Sequence, residues 1–364
     1  ELSFDRSCNF SCSYCNPTYS TSWGKDIDKH GPYQKFKTLT AGAYQQNGSW
    51  ADAENKYIDS NPYVDAFMKW WPDLSKDLQT LRITGGEPST SPNFWKFLDM
   101  IRHDPKPHLN LSVNSNLGVK DGLIDKLIET TNVLELGSYD IYTSNEAYGI
   151  HADYLRDGME YEKWRNNVIR MIEEANIRQL VVMMTVTGLS LMSITEFMDD
   201  MMILKKKYGK NMPTLDLNFL RWPAFMSPLN LPDETKIEAK EKLEEWLKNN
   251  RDSGLMLEHE ITQTQRVIDY IDVVDQGHAR AEMDKEKHFH DFKSFYVQYD
   301  KRRGKNFKKT FPMLADWFDS IEVDQSIPDV KLTSGGMEGW EIGEYKPDIL
   351  KRAKESAGSW TKII

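Results

Sequence analysis

Three cysteines, Cys8, Cys12 and Cys15, stand within one short stretch of this chain, and its 364 residues contain no others. A disulfide framework uses an even number of cysteines spread along the sequence, so an odd, clustered set points to thiolates converging on a metal. The spacing is C-x3-C-x2-C, directly after the strand-like run Leu2–Asp5. Iron–sulfur clusters are held by cysteine thiolates, and three of them on a four-iron cube leave one iron without a protein ligand. Such an iron can be chelated by the amino and carboxylate groups of a small molecule. An electron passed through the cluster into a bound sulfonium would then break a C–S bond and release a carbon radical. Zinc is the alternative, but a structural zinc takes four ligands, so this triplet would need a distant His or acid. Cysteines that merely pack are a further alternative.

Around this loop, short β-like runs alternate with longer helical patterns as far as residue 223, the signature of βα units on a parallel sheet. Strands are expected at Leu2–Asp5, Thr80–Thr84, Leu109–Asn114, Val133–Ser138, Leu180–Thr187 and Leu215–Leu220. Apolar residues at three- and four-residue spacing mark helices: Phe94 to Ile101, Leu123 to Ile128, Trp164 to Ile172, and Ile194 to Met202. Six such repeats predict an α/β fold, a partial (βα)6 barrel that stays open. Residues 16–80 form a long insertion, and long connections are functional or disordered.

After Pro223 the pattern turns mainly helical. Leu243, Trp246 and Leu247 mark one helix, Val267, Ile268, Ile271 and Val274 a second, and Phe289, Phe292, Tyr296 and Tyr299 a third. The expected division is a barrel core over 1–223, a helical C-terminal extension over 224–320 and an extended tail over 321–364 that contains Gly335–Gly336.

The net charge of −10 provides no overall positive field for phosphate backbones, which disfavours nucleic acid as a partner. No run of apolar residues is long enough for a membrane span. The strand-like opening Leu2–Phe4 shows no charged-then-apolar leader, and a cytoplasmic location is expected.

The segment Cys8-Asn-Phe-Ser-Cys12-Ser-Tyr-Cys15 resembles the hallmark of the radical S-adenosylmethionine (SAM) superfamily, and Thr84-Gly85-Gly86-Glu87-Pro88, after the second strand, resembles its GGEP motif. The resemblance implies a [4Fe–4S] cluster on Cys8, Cys12 and Cys15, with SAM on the open iron and Gly85, Gly86, Glu87 and Pro88 beside its amino group. Glycines let a backbone approach a ligand closely, and a carboxylate offsets an ammonium. Ser138-Tyr139-Asp140 resembles the Ser-x-Asp that holds the ribose of SAM, and Asn114-Ser115-Asn116 and Tyr154-Leu155-Arg156-Asp157-Gly158 resemble further family segments. By the same resemblance Tyr14 lies near the adenine, with Val186 and Leu220 in that pocket.

The resemblance covers about residues 1–223. Beyond them, Leu217 to Pro223, Tyr299 to Phe307 and Phe311-Pro312 resemble a subgroup with a twitch-type extension, found among phage and environmental proteins. Twitch extensions generally carry cysteines for an auxiliary cluster. This chain has none left, so a cysteine-ligated auxiliary cluster is excluded.

The implied activity is reductive cleavage of SAM to a 5′-deoxyadenosyl radical that abstracts hydrogen from a substrate. It requires an external electron donor of the flavodoxin or ferredoxin type. With every thiol committed, neither a methylated cysteine nor a cysteine hydrogen donor is available. A peptide or protein side chain is the first substrate class, a nucleoside or nucleotide-derived small molecule the second and RNA the third. A cluster- or zinc-binding protein without turnover is the reading from another class.

Lesser features take bland readings. His288-x-His290 and the aromatic stripe of the third C-terminal helix read as packing, Lys205–Lys207 as a solvated helix end, and Trp70-Trp71-Pro72 as packing of the insertion onto the barrel. Thr18–Trp23, next to the cysteines, is a candidate wall of the substrate pocket.

Overall fold

The computed structural model describes residues 1–47, 61–271 and 285–332. Val274, the middle of the 16–80 insertion and the Gly335–Gly336 tail lie outside these residues.

The strands in chain order are β1 (Leu2–Ser3), β2 (Ser11–Cys12), β3 (Thr80–Thr84), β4 (Lys106–Asn114), β5 (Leu136–Ser144), β6 (Arg156–Asp157), β7 (Gln179–Val186) and β8 (Thr214–Phe219). Six of them form one sheet in the order β1-β3-β4-β5-β7-β8, parallel at every pairing. Parallel neighbours need a crossover, supplied by helices Pro62–Leu74, Pro92–His103, Asp121–Val133, Tyr161–Glu174 and Ile194–Tyr208. The fold is α/β, an open partial barrel of six strands followed by a helical C-terminal region, as the alternation of patterns predicts.

The two faces of the sheet differ in chemistry. Leu81, Ile83, Leu109, Leu111, Val113, Ile141, Leu180, Val182, Met184, Leu215 and Leu217 are buried on the helix side. The intervening residues include Arg82, Asn114, Asp140, Tyr142 and Asp216. Side chains alternate across a strand, so these polar groups line the barrel lumen. A parallel sheet covered on both faces would be apolar throughout; the alternation marks a lumen instead.

Two strand boundaries differ from expectation. β1 ends at Ser3, because Asp5 leaves the sheet and accepts the Ser7 amide at 2.9 Å. The strand expected at Val133–Ser138 runs over Leu136–Ser144. Val133 completes the preceding helix, while buried Tyr139, Ile141 and Thr143 extend the alternation. Ser138-Tyr139-Asp140 therefore lies inside β5 and not at its carboxyl end.

β8 is an edge strand, and side chains satisfy two of its outward amides. Leu215 N donates to Glu260 Oε1 at 2.7 Å and Leu217 N to Gln263 Oε1 at 2.9 Å, both from helix Glu258–Ile271. Lys205 binds the same Glu260 carboxylate at 2.7 and 2.8 Å and is fully buried. The solvated helix end expected at Lys205–Lys207 thus holds for Lys207, which is exposed, and fails for Lys205.

The C-terminal helices include Asp233–Asn250 and Lys285–Arg303. On the latter, Phe292, Phe295, Tyr296 and Tyr299 are buried, so the aromatic stripe is core. Phe295 lies 5.0 Å from Tyr33 and 4.7 Å from Tyr44, and Tyr299 lies 6.5 Å from Trp23, between ring centroids. The inserted segment and the C-terminal region therefore share one aromatic core. His290 and His288 are buried, and His290 meets Asp291 at 3.0 Å and the Asp324 amide at 3.0 Å. Trp71 is buried and packs 4.7 Å from Phe97, while Trp70 is exposed.

Candidate functional site

The cysteine loop leaves β1 at the carboxyl rim of the barrel, where barrel folds build their sites. Its backbone is held by side chains of the segment that follows. Cys8 N donates to Thr21 Oγ1 at 3.3 Å and Cys8 O accepts from Ser22 Oγ at 2.5 Å. Phe10 O accepts from Ser20 Oγ at 3.1 Å, Cys12 O from Trp23 Nε1 at 2.9 Å and Ser13 O from Tyr44 OH at 2.8 Å. Ser20, Thr21, Ser22 and Trp23 thus brace the loop, and of that stretch Tyr19 is largely exposed. On the far side, β2 pairs antiparallel with β6, Cys12 opposite Arg156. Phe10 is buried between Gly118 and Gly158, where an added Cβ would stand 2.2 and 2.8 Å from its ring.

Gly85 and Gly86 form a shelf beneath this loop. Gly85 has φ +122°, a conformation that favours glycine. A Cβ on it would stand 2.6 Å from Asp5 O, and one on Gly86 would stand 2.2 Å from Ser7 O. Glu87 N donates to Ser7 O at 2.6 Å. The glycines are therefore required by the approach of the chain to itself, before any ligand is considered. Pro88 is buried and opens a short turn, Pro88–Thr90.

The Glu87 carboxylate is buried and fully engaged. It accepts from Ser89 N at 3.1 Å, Ser89 Oγ at 2.6 Å, Ser115 Oγ at 3.0 Å and Asn116 N at 2.5 Å. Burial raises its pKa against the pull of these donors. It ties the end of β3 to the end of β4.

Beside Cys12 lies a buried charge pair. Arg156 Nη2 meets Glu146 Oε2 at 2.6 Å, and Arg156 Nη1 lies 3.9 Å from Cys12 Sγ. Tyr14 OH donates to Glu146 Oε1 at 2.8 Å, with the guanidinium 5.4 Å from the Tyr14 ring centroid. Burial alone would favour neutral arginine, but the Glu146 carboxylate overrides it and raises the Arg156 pKa.

All three cysteines are free and partly buried. Burial, then the neighbouring Cys12 thiol, pushes Cys8 up to about 12. Cys15 is raised by burial and by both other thiols, and Cys12 by burial against the pull of Arg156. Thiolates in this setting need a cation to offset their desolvation, and a metal supplies one. Among the described residues no group of three His, Cys, Asp or Glu side chains stands in closed metal-binding geometry. The donor chemistry nonetheless fits a thiolate-bound group, since three mutually sensing thiols share one loop with no disulfide.

The remaining expected residues divide between the rim and other positions. Asn114 ends β4 and accepts from Arg82 Nε at 3.0 Å in the lumen. Ser138 bonds Asn110 at 2.8 Å, six residues before the end of β5. Asp140 is occupied by Arg178 and Gln179, at 2.5 and 3.3 Å, so the structure does not bring this Ser-x-Asp to the cysteines. Val186 ends β7 with its side chain fully buried. Leu220 follows β8, its amide donating to Val186 O at 2.8 Å.

Sequence reasoning missed Glu146 and the β2–β6 pair. Glu146 lies just past β5 with no motif around it, and a two-residue bridge leaves no periodic signal. The one trace was Arg156 within the family-like segment.

Fold and loop together define an open α/β barrel that carries a three-thiol loop at its carboxyl rim. No family model and no curated protein matches the chain. Among solved structures, native anSMEcpe with bound AdoMet superposes with a TM-score of 0.42 at 12% identity, over 71% of this chain and 63% of that one. Its forms with AdoMet and the Kp18Cys or Cp18Cys peptide each give 0.39, at 13% and 11% identity. They cover 70% and 69% of this chain and 62% and 59% of those. The chain thus spans about three-fifths of the length of these structures. A superposition this loose carries no functional weight.

Proposed function

We propose that the chain is a radical SAM enzyme acting on a peptide or protein side chain. The observation that carries this reading is the convergence of the three-thiol loop and the Gly85-Gly86-Glu87 shelf at one point of the rim. Cys8, Cys12 and Cys15 would hold a [4Fe–4S] cluster. When bound, that cluster supplies the electron that splits SAM into methionine and a 5′-deoxyadenosyl radical.

The chain's own residues bind, orient and exclude water. The shelf fixes the height of the loop above β3 through Glu87 N and Ser7 O. Since the Glu87 side chain is engaged internally, the amino group of SAM would meet backbone carbonyls of this segment. Tyr14, oriented by Glu146, would flank the adenine. Arg156 places positive charge beside Cys12, where a thiolate gains from it. Ribose binding falls to residues nearer the rim than Ser138 and Asp140. The polar lumen around Arg82, Asn114 and Tyr142 would receive SAM and substrate. Residues 1–223 would form the catalytic core, 224–320 its helical cover and 321–364 a tail. The electron would come from an external carrier.

The test is anaerobic reconstitution, with iron and sulfide counted, then incubation with SAM and dithionite. Release of 5′-deoxyadenosine is expected. An intact cluster that releases none overturns the reading, and stoichiometric zinc in place of iron favours a structural metal site. Incubation with candidate peptides, followed by mass spectrometry, tests the substrate class.

A further inference from the structure

Two arginines bear on the barrel lumen, and the protein compensates one of them. Arg178, next to β7, donates from Nε and Nη2 to Asp140 at 2.9 and 2.5 Å. Gln179 and Ser112 donate to the same carboxylate at 3.3 and 3.4 Å. Arg82 is the other case. In the sheet register it lies level with Ser112 and, one strand further, with Asp140, yet its guanidinium goes elsewhere. Nε donates to Asn114 Oδ1 at 3.0 Å, Nη2 stands 3.0 Å from Met183 Sδ, and the guanidinium carbon lies 4.4 Å over the Tyr142 ring. Each of these partners is neutral, and among the described residues no carboxylate pairs with Arg82. Asp216, also on the lumen face, accepts from Gln263 at 2.7 Å instead.

The same contacts fix the height of the charge. Asn114 is the last residue of β4, and Met183 pairs in register with Ser144, the last residue of β5. The guanidinium therefore rises from mid-strand to the carboxyl ends of the strands, beneath the rim that carries the cysteine loop. Arg82 is partly accessible there. A cation half withdrawn from water and lacking a counter-charge favours an anionic ligand. Its planar fork can give a carboxylate two parallel N–H bonds. The Met183 thioether is a weak acceptor that a carboxylate oxygen would displace, while Asn114 and the Tyr142 ring hold the plane of the fork. One guanidinium balances one negative charge, and Asp140 and Asp216 on the same face oppose a second, so a carboxylate suits the site better than a phosphate.

We propose that Arg82 selects a substrate that carries a carboxylate, so that the peptide acted on presents an acidic side chain or a free C-terminus to the lumen. Held on Arg82, that group would anchor its neighbouring carbon atoms just below the rim. The assignment deepens the peptide reading above and rests on it.

The test measures, by calorimetry on the reconstituted enzyme with SAM present, the binding of acetyl-Gly-Ala-Xaa-Ala-Gly amides in which Xaa is Glu, Asp, Gln or phosphoserine. Acetyl-Gly-Ala-Ala with a C-terminal acid or amide probes the other source of the carboxylate. At least one acid probe should bind about tenfold or more tightly than its amide counterpart, and the pair that shows it separates side chain from C-terminus. Arg82→Gln should remove this discrimination, and Arg82→Lys, which keeps the charge without the fork, should retain part of it. The comparison of acid with amide in the parent enzyme needs no variant and stands whether or not the variants fold. Equal binding of acid and amide probes by the parent, including no binding of either, overturns the proposal. So does a phosphoserine probe that outcompetes the acids, or discrimination that survives in folded Arg82→Gln. SAM binding weakened by Arg82→Gln in the absence of peptide would give the guanidinium to the SAM carboxylate and overturn it as well. An enzyme that prefers the acid probe but releases no 5′-deoxyadenosine instead strikes the function reading and leaves the selection of carboxylate standing.

Discussion

The two edges of the sheet use polar groups to opposite ends. At the β8 edge one carboxylate serves several polar groups: Glu260 takes the Leu215 and Leu257 amides at 2.7 Å each and neutralises buried Lys205. Exposed edge amides invite pairing with other chains, and this helix engages those of Leu215 and Leu217. At the β1 edge the strand ends after two residues. Side chains there hold the backbone of the following loop, while burial raises the pKa of all three of its thiols and only Cys12 has a cation, Arg156, beside it. One edge is finished as structure. The other carries three free sulfurs gathered in one loop, and that difference is what a binding site looks like.

The sharpest way to break the contrast is to remove the sulfurs. Cys8→Ala, Cys12→Ala or Cys15→Ala should each abolish iron retention and 5′-deoxyadenosine release while far-UV circular dichroism and the melting temperature hold, since a small free thiol contributes little beyond its packing. A variant that keeps its cluster would show that the sulfur in question is not a ligand. At the other edge, Lys205→Ala leaves Glu260 buried and uncompensated and should cost about 3–5 kcal/mol. Denaturant unfolding reads this directly. Iron content per folded molecule should stay unchanged, and a drop in it would mean that the two edges are coupled.

Gly86→Ala sharpens the comparison at the shelf. Its Cβ would stand 2.2 Å from Ser7 O, a backbone atom that can move only by displacing the cysteine loop. Overpacking of this kind costs about 1–3 kcal/mol, and cluster yield should fall further than stability does. Gly122→Ala is the control. It has open space, lies in helix Asp121–Val133, and should be neutral or stabilising by up to about 1 kcal/mol. Equal cluster yields in the two variants would remove the shelf from the site.

What the sequence discloses follows from the range of the forces involved. β3 is read residue for residue, because Thr80–Thr84 is a short β-branched run closed by Gly85-Gly86. β5 is misplaced because Val133 satisfies strand and helix patterns equally and only the packing of helix Asp121–Val133 decides. Burial of Lys205 depends on Glu260, 55 residues away, and no local pattern carries such a partner. The cysteines are legible as a set through their spacing. Their supports are not, since Tyr44, Glu146 and Arg156 reach the loop from three separate segments.

The smallest effect isolates one of those supports. Trp23 donates Nε1 to Cys12 O at 2.9 Å, and its ring is fully buried among Tyr33, Tyr44, Phe295 and Tyr299. Trp23→Phe keeps much of the aromatic contact and deletes the donor, leaving the Cys12 carbonyl without it. A buried acceptor stripped of its partner costs about 1–3 kcal/mol, part of which shared core packing can absorb. The discriminating readout is kinetic. If Trp23 holds the loop, the reconstituted variant should lose iron to a chelator severalfold faster than the parent. A Lys205→Ala protein, destabilised more overall, should lose it at the parental rate under native conditions. Faster loss in both, scaled to their global stabilities, would mean that the loop is held by the fold as a whole and that the contrast between the edges is one of degree.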